Sequence, residues 1–123
     1  MIIRKFEELK EFTAGDHSIL REYFNPLKEE MKLNYSLAHA KVVVGKTSTK
    51  HKLTSSEVYF ILKGTGKMFI DKEESEVKER DVIYIPPNSI QWIKNTGTTD
   101  LEILCMVEPG WKKEDEKVFK EKD

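Results

Sequence analysis

Residue types that can do chemistry gather in two short stretches of the 123-residue chain. In the first, His51, Leu53, Glu57, Tyr59 and Ile61 share parity, so one regular extended segment turns all five to the same face. In the second, Gln91, Ile93 and Asn95 share a face in the same way. Leu53, Ile61 and Ile93 mark an apolar interior, and His51, Glu57 and Gln91 are the polar groups inside it. An isolated buried carboxylate is costly; it responds by pairing, by taking a proton or by taking a cation. Without a cation, a His51–Glu57 ion pair or a neutral Glu57 is the natural outcome. Either acts as a general acid or base, because burial moves Glu57 toward neutral pH. A second reading stands beside it: His51 only hydrogen-bonds Glu57 and stabilises the fold.

Elements of period two must carry these faces. Strands are predicted at Ser18–Phe24, Tyr35–Val44, Lys52–Lys63, Lys67–Asp71, Glu76–Lys78, Val82–Ile85, Gln91–Lys94 and Leu101–Val107. Gly45, Gly64-Thr65-Gly66, Asp71-Lys72-Glu73-Glu74, Pro86-Pro87-Asn88 and Asn95-Thr96-Gly97 break them. Short strands with closely spaced turns predict an all-β sandwich or barrel, not a βαβ fold. Short helical segments are expected at the termini, around Phe6–Phe12 and over Trp111–Lys122, with weaker helical character over Leu27–Leu33. The organisation read from this is an N-terminal segment, 1–34, packing on a barrel, 35–109, and a charged tail or short helix, 110–123. The length suits one compact domain.

Lys and Arg total 21 against 22 Asp and Glu, a net charge of -1. That balance argues against a broad phosphate-neutralising surface, so no nucleic-acid partner is expected. No apolar run approaches the roughly 20 residues of a membrane span, and no secretory signal is readable at Met1–Glu8. One cysteine, Cys105, excludes an intramolecular disulfide and fits a reducing compartment. The expected location is the cytoplasm. Lys outnumbers Arg 18 to 3 and Gln occurs once, a balance associated with hot environments.

Two strands are apolar on both faces. Val58, Phe60 and Leu62 oppose Glu57, Tyr59 and Ile61, and Leu104 and Met106 alternate with Ile103, Cys105 and Val107. A barrel buries one face of a strand, so the second needs a cover, and a homodimer is expected. Trp92 points outward, toward such an interface. Trp111 pins the C-terminal segment to the barrel, His39 lies outside it and His17 on the surface. Cys105 is inert packing.

The stretch 45–95 resembles the cupin superfamily by spacing as well as by residue type. The first cupin motif runs Gly, five residues, His-x-His, three or four residues, Glu, six residues, Gly; here Gly45, His51, Leu53, Glu57 and Gly64 fall at those intervals. The second runs Gly, five residues, Pro-x-Gly, two residues, His, three residues, Asn; here Arg80, Pro86, Asn88, Gln91 and Asn95 fall in register. The resemblance implies a single-domain jelly-roll β-barrel with a divalent metal held by two histidines, the Glu and the second-motif His. This chain keeps His51 and Glu57, puts Leu53 at the second His and Gln91 at the last. The implied metal ligands are therefore His51, Glu57 and the amide oxygen of Gln91, around one Mn, Fe, Ni or Zn ion. Tyr59, Gln91, Leu53 and Ile61 would contact the substrate. The resemblance implies a small-molecule-binding cupin with a reduced metal-type site, its ligand a sugar or a carboxylate metabolite. The alternative is a sugar or sugar-phosphate isomerase or epimerase in which His51 and Glu57 move the proton, with or without metal. Two missing histidines argue against oxygen chemistry. Lys50 and Lys52 point away from His51, which weakens a phosphate ligand.

Overall fold

The computed structural model describes residues 1–119. Among these residues eleven strands form, all in antiparallel pairs: β1 (Glu11–Thr13), β2 (Ile19–Phe24), β3 (Ser36–Val42), β4 (His51–Lys52), β5 (Ser56–Lys63), β6 (Thr65–Ile70), β7 (Glu73–Lys78), β8 (Val82–Ile85), β9 (Gln91–Asn95), β10 (Leu101–Glu108) and β11 (Lys117–Val118). They make two sheets, ordered β1-β2-β3-β10-β5-β8 and β11-β4-β9-β6-β7. The inner faces enclose a core built on Ile61, Ile85, Leu101, Ile103, Met68 and Ile93. Period-two alternation produces this core directly: in β10, Leu101, Ile103, Cys105 and Val107 are buried while the residues between them are partly or fully exposed. The two sheets face each other as a jelly roll without joining into one closed barrel; β8 ends one sheet and β7 the other.

Three expectations are corrected. The only helical turns among the described residues are three-residue 3-10 turns, Phe6–Glu8 and Lys113–Asp115, and none forms over 27–33. Lys-, Glu- and Asp-rich composition favours helix only weakly. Without an apolar stripe to bury, no helix is held: residues 27–33 form turns and bends, while residues 11–13 and 117–118 pair with the sheets. Residues 120–122 of the expected C-terminal helix lie outside the described residues. The segment before residue 35 does more than pack on a barrel: it contributes β1 and β2 to the larger sheet. Finally, the strand expected over 52–63 is two strands in different sheets, β4 and β5, separated at Leu53-Thr54-Ser55. The Asp115 carboxylate holds that crossing, accepting from the Thr54 amide at 3.2 Å and from its hydroxyl at 2.5 Å.

The chain after Pro109 runs as a strap across one end of the sandwich. Trp111 packs on Phe12, with ring centroids 5.8 Å apart, and its amide donates to Ser36 Oγ at 2.8 Å. β11 then pairs with β4, setting Val118 opposite His51, and the Phe119 amide donates to the Lys50 carbonyl at 2.7 Å. No helix among the described residues is long and apolar enough to cross a membrane.

Candidate functional site

His51 and Gln91 are cross-strand partners in the β4–β9 pair, while Glu57 and Tyr59 face them from β5 in the other sheet. All four are buried. Their hydrogen bonds form a directed chain. The Tyr59 hydroxyl donates to Gln91 Oε1 at 3.1 Å, and Gln91 Nε2 donates to Glu57 Oε1 at 2.5 Å. On the far side, His51 Nδ1 donates to the Thr49 carbonyl at 2.8 Å, which fixes the ring and leaves Nε2 turned inward. Two further acids join the group. Asp16 lies in the turn between β1 and β2, with its Oδ2 3.6 Å from His51 Nε2, and Glu116 reaches in from the strap. Trp111 Nε1 donates to Glu116 Oε2 at 3.2 Å. The sequence marks neither acid. Asp16 reads as an ordinary Asx-turn residue, accepting from the Ser18 amide at 3.0 Å, and Glu116 as one more charge in a solvated run.

His51, Glu57, Tyr59, Asp16 and Glu116 line a cavity of about 40 Å³, together with Ala38, Ala40 and Leu53. That is room for one water molecule. Leu53 forms part of the wall; Ile61 lies in the core and Gln91 stands one layer back, behind Glu57. His39 is on the outer face as expected, yet it is buried beneath the edge of Phe6 and bonded to Glu102 at 2.9 Å. His17 is exposed.

Burial dominates the electrostatics. It pushes the Glu57 carboxyl up from 4.5 to about 7; His51 and the Gln91 bond oppose the rise, while Asp16 and Glu116 add to it. Burial, then Asp16, also raises the Glu116 carboxyl. The Tyr59 hydroxyl and the Cys105 thiol are pushed well above their usual ranges, first by burial and then by Glu57. Both keep their protons at neutral pH. Tyr59 is thus a donor, and Cys105 is no nucleophile. Burial thus leaves the Glu57 carboxyl able to hold a proton up to about pH 7.

The cupin metal set does not fit this arrangement. Leu53 has no donor atom, and Gln91 presents its N–H₂, not its oxygen, to Glu57. Among the described residues no three His, Cys, Asp or Glu side chains converge to hold a metal ion. What the residues form is a proton-holding network.

Backbone geometry tests the motif register independently. The four positions at which the two motifs call for glycine are Gly45, Gly64, Arg80 and Asn88, with φ of 78°, 90°, 73° and 64°. The left-handed turns survive even where the glycines do not; Asn tolerates that region well and Arg poorly.

Comparison with known proteins agrees. The family model for the cupin domain (Cupin_2) matches residues 38–107. The uncharacterized protein MJ1618 of Methanocaldococcus jannaschii is 39% identical over 120 residues, spanning 97% of this chain and 95% of its own length. Among solved structures, the cupin-2 domain protein Rru_A2000 of Rhodospirillum rubrum superposes with a TM-score of 0.77 at 19% identity, over 98% of this chain and 81% of that one. Pac13 of Streptomyces, a nucleoside dehydratase, superposes with a TM-score of 0.72 at 19% identity, over 97% and 91%. With the motif register, the strand order and a family match over more than half its length, the chain belongs to the cupin family.

Proposed function

We propose that the chain presents this cavity to the reacting end of a small hydroxylated metabolite, most of which lies outside a space of about 40 Å³, and transfers a proton on it, as an isomerase, an epimerase or a related proton-moving enzyme does. Glu57 is the acid and base, and His51 is its partner across the cavity. The observation that carries the reading is a carboxyl group 4% exposed and hydrogen-bonded through Oε1, which burial pushes up to about 7, facing an imidazole tied at Nδ1. A group with that pKa both gives and accepts a proton without a large driving-force penalty at neutral pH. Gln91 and Tyr59 position the carboxyl. No Lys or Arg lines the cavity among the described residues, which favours hydroxyl-bearing ligands over carboxylate or phosphate ones. Pac13 lends support by fold alone: a dehydratase, too, must move a proton on a small hydroxylated substrate.

The test is isotope exchange. The protein is incubated in D₂O with aldoses, ketoses and nucleosides, and deuterium entering carbon positions is followed by NMR. Incorporation that is abolished in Glu57→Gln and strongly reduced in His51→Ala is the expected result. Incorporation unchanged in both variants, or none with any compound, overturns the proposal.

A further inference from the structure

The sandwich is open where its two sheets end. β8 closes the larger sheet and β7 the smaller, and among the described residues neither carries a further strand. Between them runs a groove of about 680 Å³. Met68, Ile70, Val77 and Ile83 give it an apolar strip. Glu73, Glu74, Glu76 and Asp81 line it too, with no Lys or Arg among the described lining residues. Glu74 is paired with Lys67 at 3.1 Å, and Asp81 accepts from the Lys78 amide at 2.9 Å. The two edges differ. Charged side chains protect β7, whereas β8 reads Val82-Ile83-Tyr84-Ile85 with Val82 and Tyr84 exposed. An apolar strand with a free edge is a template for another extended segment.

A segment of matching character lies at the start of the chain. Residues 1–5 pair with no strand, and Lys5 has extended backbone angles. Ile2 and Ile3 are apolar yet exposed, and Arg4 and Lys5 make the segment basic, with no acid before Glu7. Its apolar side chains suit the strip, and its charge suits the acids. The segment cannot fill the groove of its own chain. Arg4 is held on the other side of the larger sheet, by Glu29 at 2.5 Å and over the ring of Phe24, which ends β2. From β2 to β8 is four strand spacings, about 19 Å, while Ile2 lies within roughly 7 Å of chain from Arg4. A second copy can supply it. The sheet face beside the groove is also apolar and exposed, at Leu62, Val82 and Tyr84. One two-fold interface covers that face and fills both grooves at once.

We infer that each chain of a pair lays Ile2 and Ile3 in the β7–β8 groove of the other, beside the free edge of β8.

The experiment is a disulfide trap in the full chain. In Ile3→Cys/Ser75→Cys one thiol sits on the segment and the other lines the groove, while Cys105 is buried and takes no part. Ile3→Cys/Lys46→Cys, with its second thiol on the exposed loop after β3, is the control for chance collision. Each protein, at about 100 μM, is oxidised with glutathione disulfide and run on a non-reducing gel. The 3–75 variant should give a covalent dimer in at least about tenfold excess over the control, because a docked thiol meets its partner at a high effective concentration. Mass spectrometry of the digested dimer should find the link between positions 3 and 75. A peptide of residues 1–6 in excess, and separately Glu73→Lys/Glu76→Lys, should reduce the yield severalfold. A 3–75 disulfide closed within one chain, leaving a monomer, overturns the exchange. So does a yield no higher than the control; if light scattering then still finds a dimer, the sheet face is its interface without the segment. A cross-link that neither the peptide nor the charge reversal reduces overturns the groove as the docking surface.

Discussion

Replacing Glu57 by Gln keeps the shape of the side chain and removes its proton equilibrium, so the variant isolates what burial does to this one group. In the folded chain the carboxyl sits at about 7 against an ordinary 4.5. Between those two pH values the native state holds a proton that the unfolded chain has released. Stability therefore falls as pH rises through that window and levels off on either side of it. Two and a half pH units at about 1.36 kcal/mol each amount to about 3 kcal/mol. With Glu57 4% exposed, solvent screening takes little from that figure. Glu57→Gln cannot titrate, so its stability relative to the parent should improve by about 3 kcal/mol from acid to mildly alkaline pH. For a domain of this size that is roughly 10 °C in Tm. The raised Glu116 carboxyl titrates in both proteins and largely cancels in the difference. Guanidinium unfolding of the two proteins, at a series of pH values from about 4.5 to about 8, measures it directly. A difference that stays constant over the range refutes the proton-holding acid. A difference of opposite slope would make Glu57 a carboxylate stabilised by protonated His51.

Two other predictions concern metal and assembly. Because Gln91 turns its N–H₂ toward Glu57, equilibration with Mn, Fe, Ni or Zn followed by gel filtration should leave well under about one-tenth of a metal ion per chain by elemental analysis. One ion per chain, lost in His51→Ala, would show that the amide reverses and the reduced cupin site is real. On the outer face of the larger sheet, Val82 is 60%, Tyr84 63% and Leu62 42% exposed, the apolar surface for which a second copy of this chain is the proposed cover. Light scattering should then give twice the 14.4 kDa chain mass, and Tyr84→Lys should shift it toward the monomer. A parent protein that is monomeric at about 100 μM, far above ordinary dimer affinities, would refute the dimer.

How much of this was legible in the sequence depends on how far apart in the chain the cooperating residues lie. His51, Glu57 and Gln91 could be placed on inward faces because period-two alternation is a local signal, and the motif spacing ties the two stretches together. The conclusion survived an error in its premise. His51 and Glu57 do not share one strand; the chain changes sheets at Leu53-Thr54-Ser55, where no Gly or Pro announces a break. What holds that crossing is Asp115, some sixty residues away in the chain and invisible to any local reading. The same blindness hid Asp16 and Glu116. Each has a sufficient local explanation, a turn and a charged run; the β1–β2 turn carries Asp16 to His51, and the fold-back of the strap brings Glu116 into the same cavity. The strap itself read as a helix because Lys and Glu are good helix formers, a weak preference that pairing with β4 overrides.

The replacement of the second-motif histidine by Gln91 then acquires a physical sense beyond loss. Tyr59 keeps its proton because burial and Glu57 both hold its pKa up, so its hydroxyl must donate. The acceptor it finds is Gln91 Oε1. Once that oxygen is taken, only N–H₂ remains to face Glu57, and it donates there at 2.5 Å. Reversing the amide would set its oxygen against the Glu57 carboxyl and its N–H₂ against the Tyr59 proton, two mismatches between buried groups whenever Glu57 is ionised. Tyr59 therefore fixes the orientation of Gln91, and Gln91 fixes Glu57. A histidine at position 91 would release this lock, and a metal would then compete for the same carboxylate. In this chain the carboxylate is held for a proton instead.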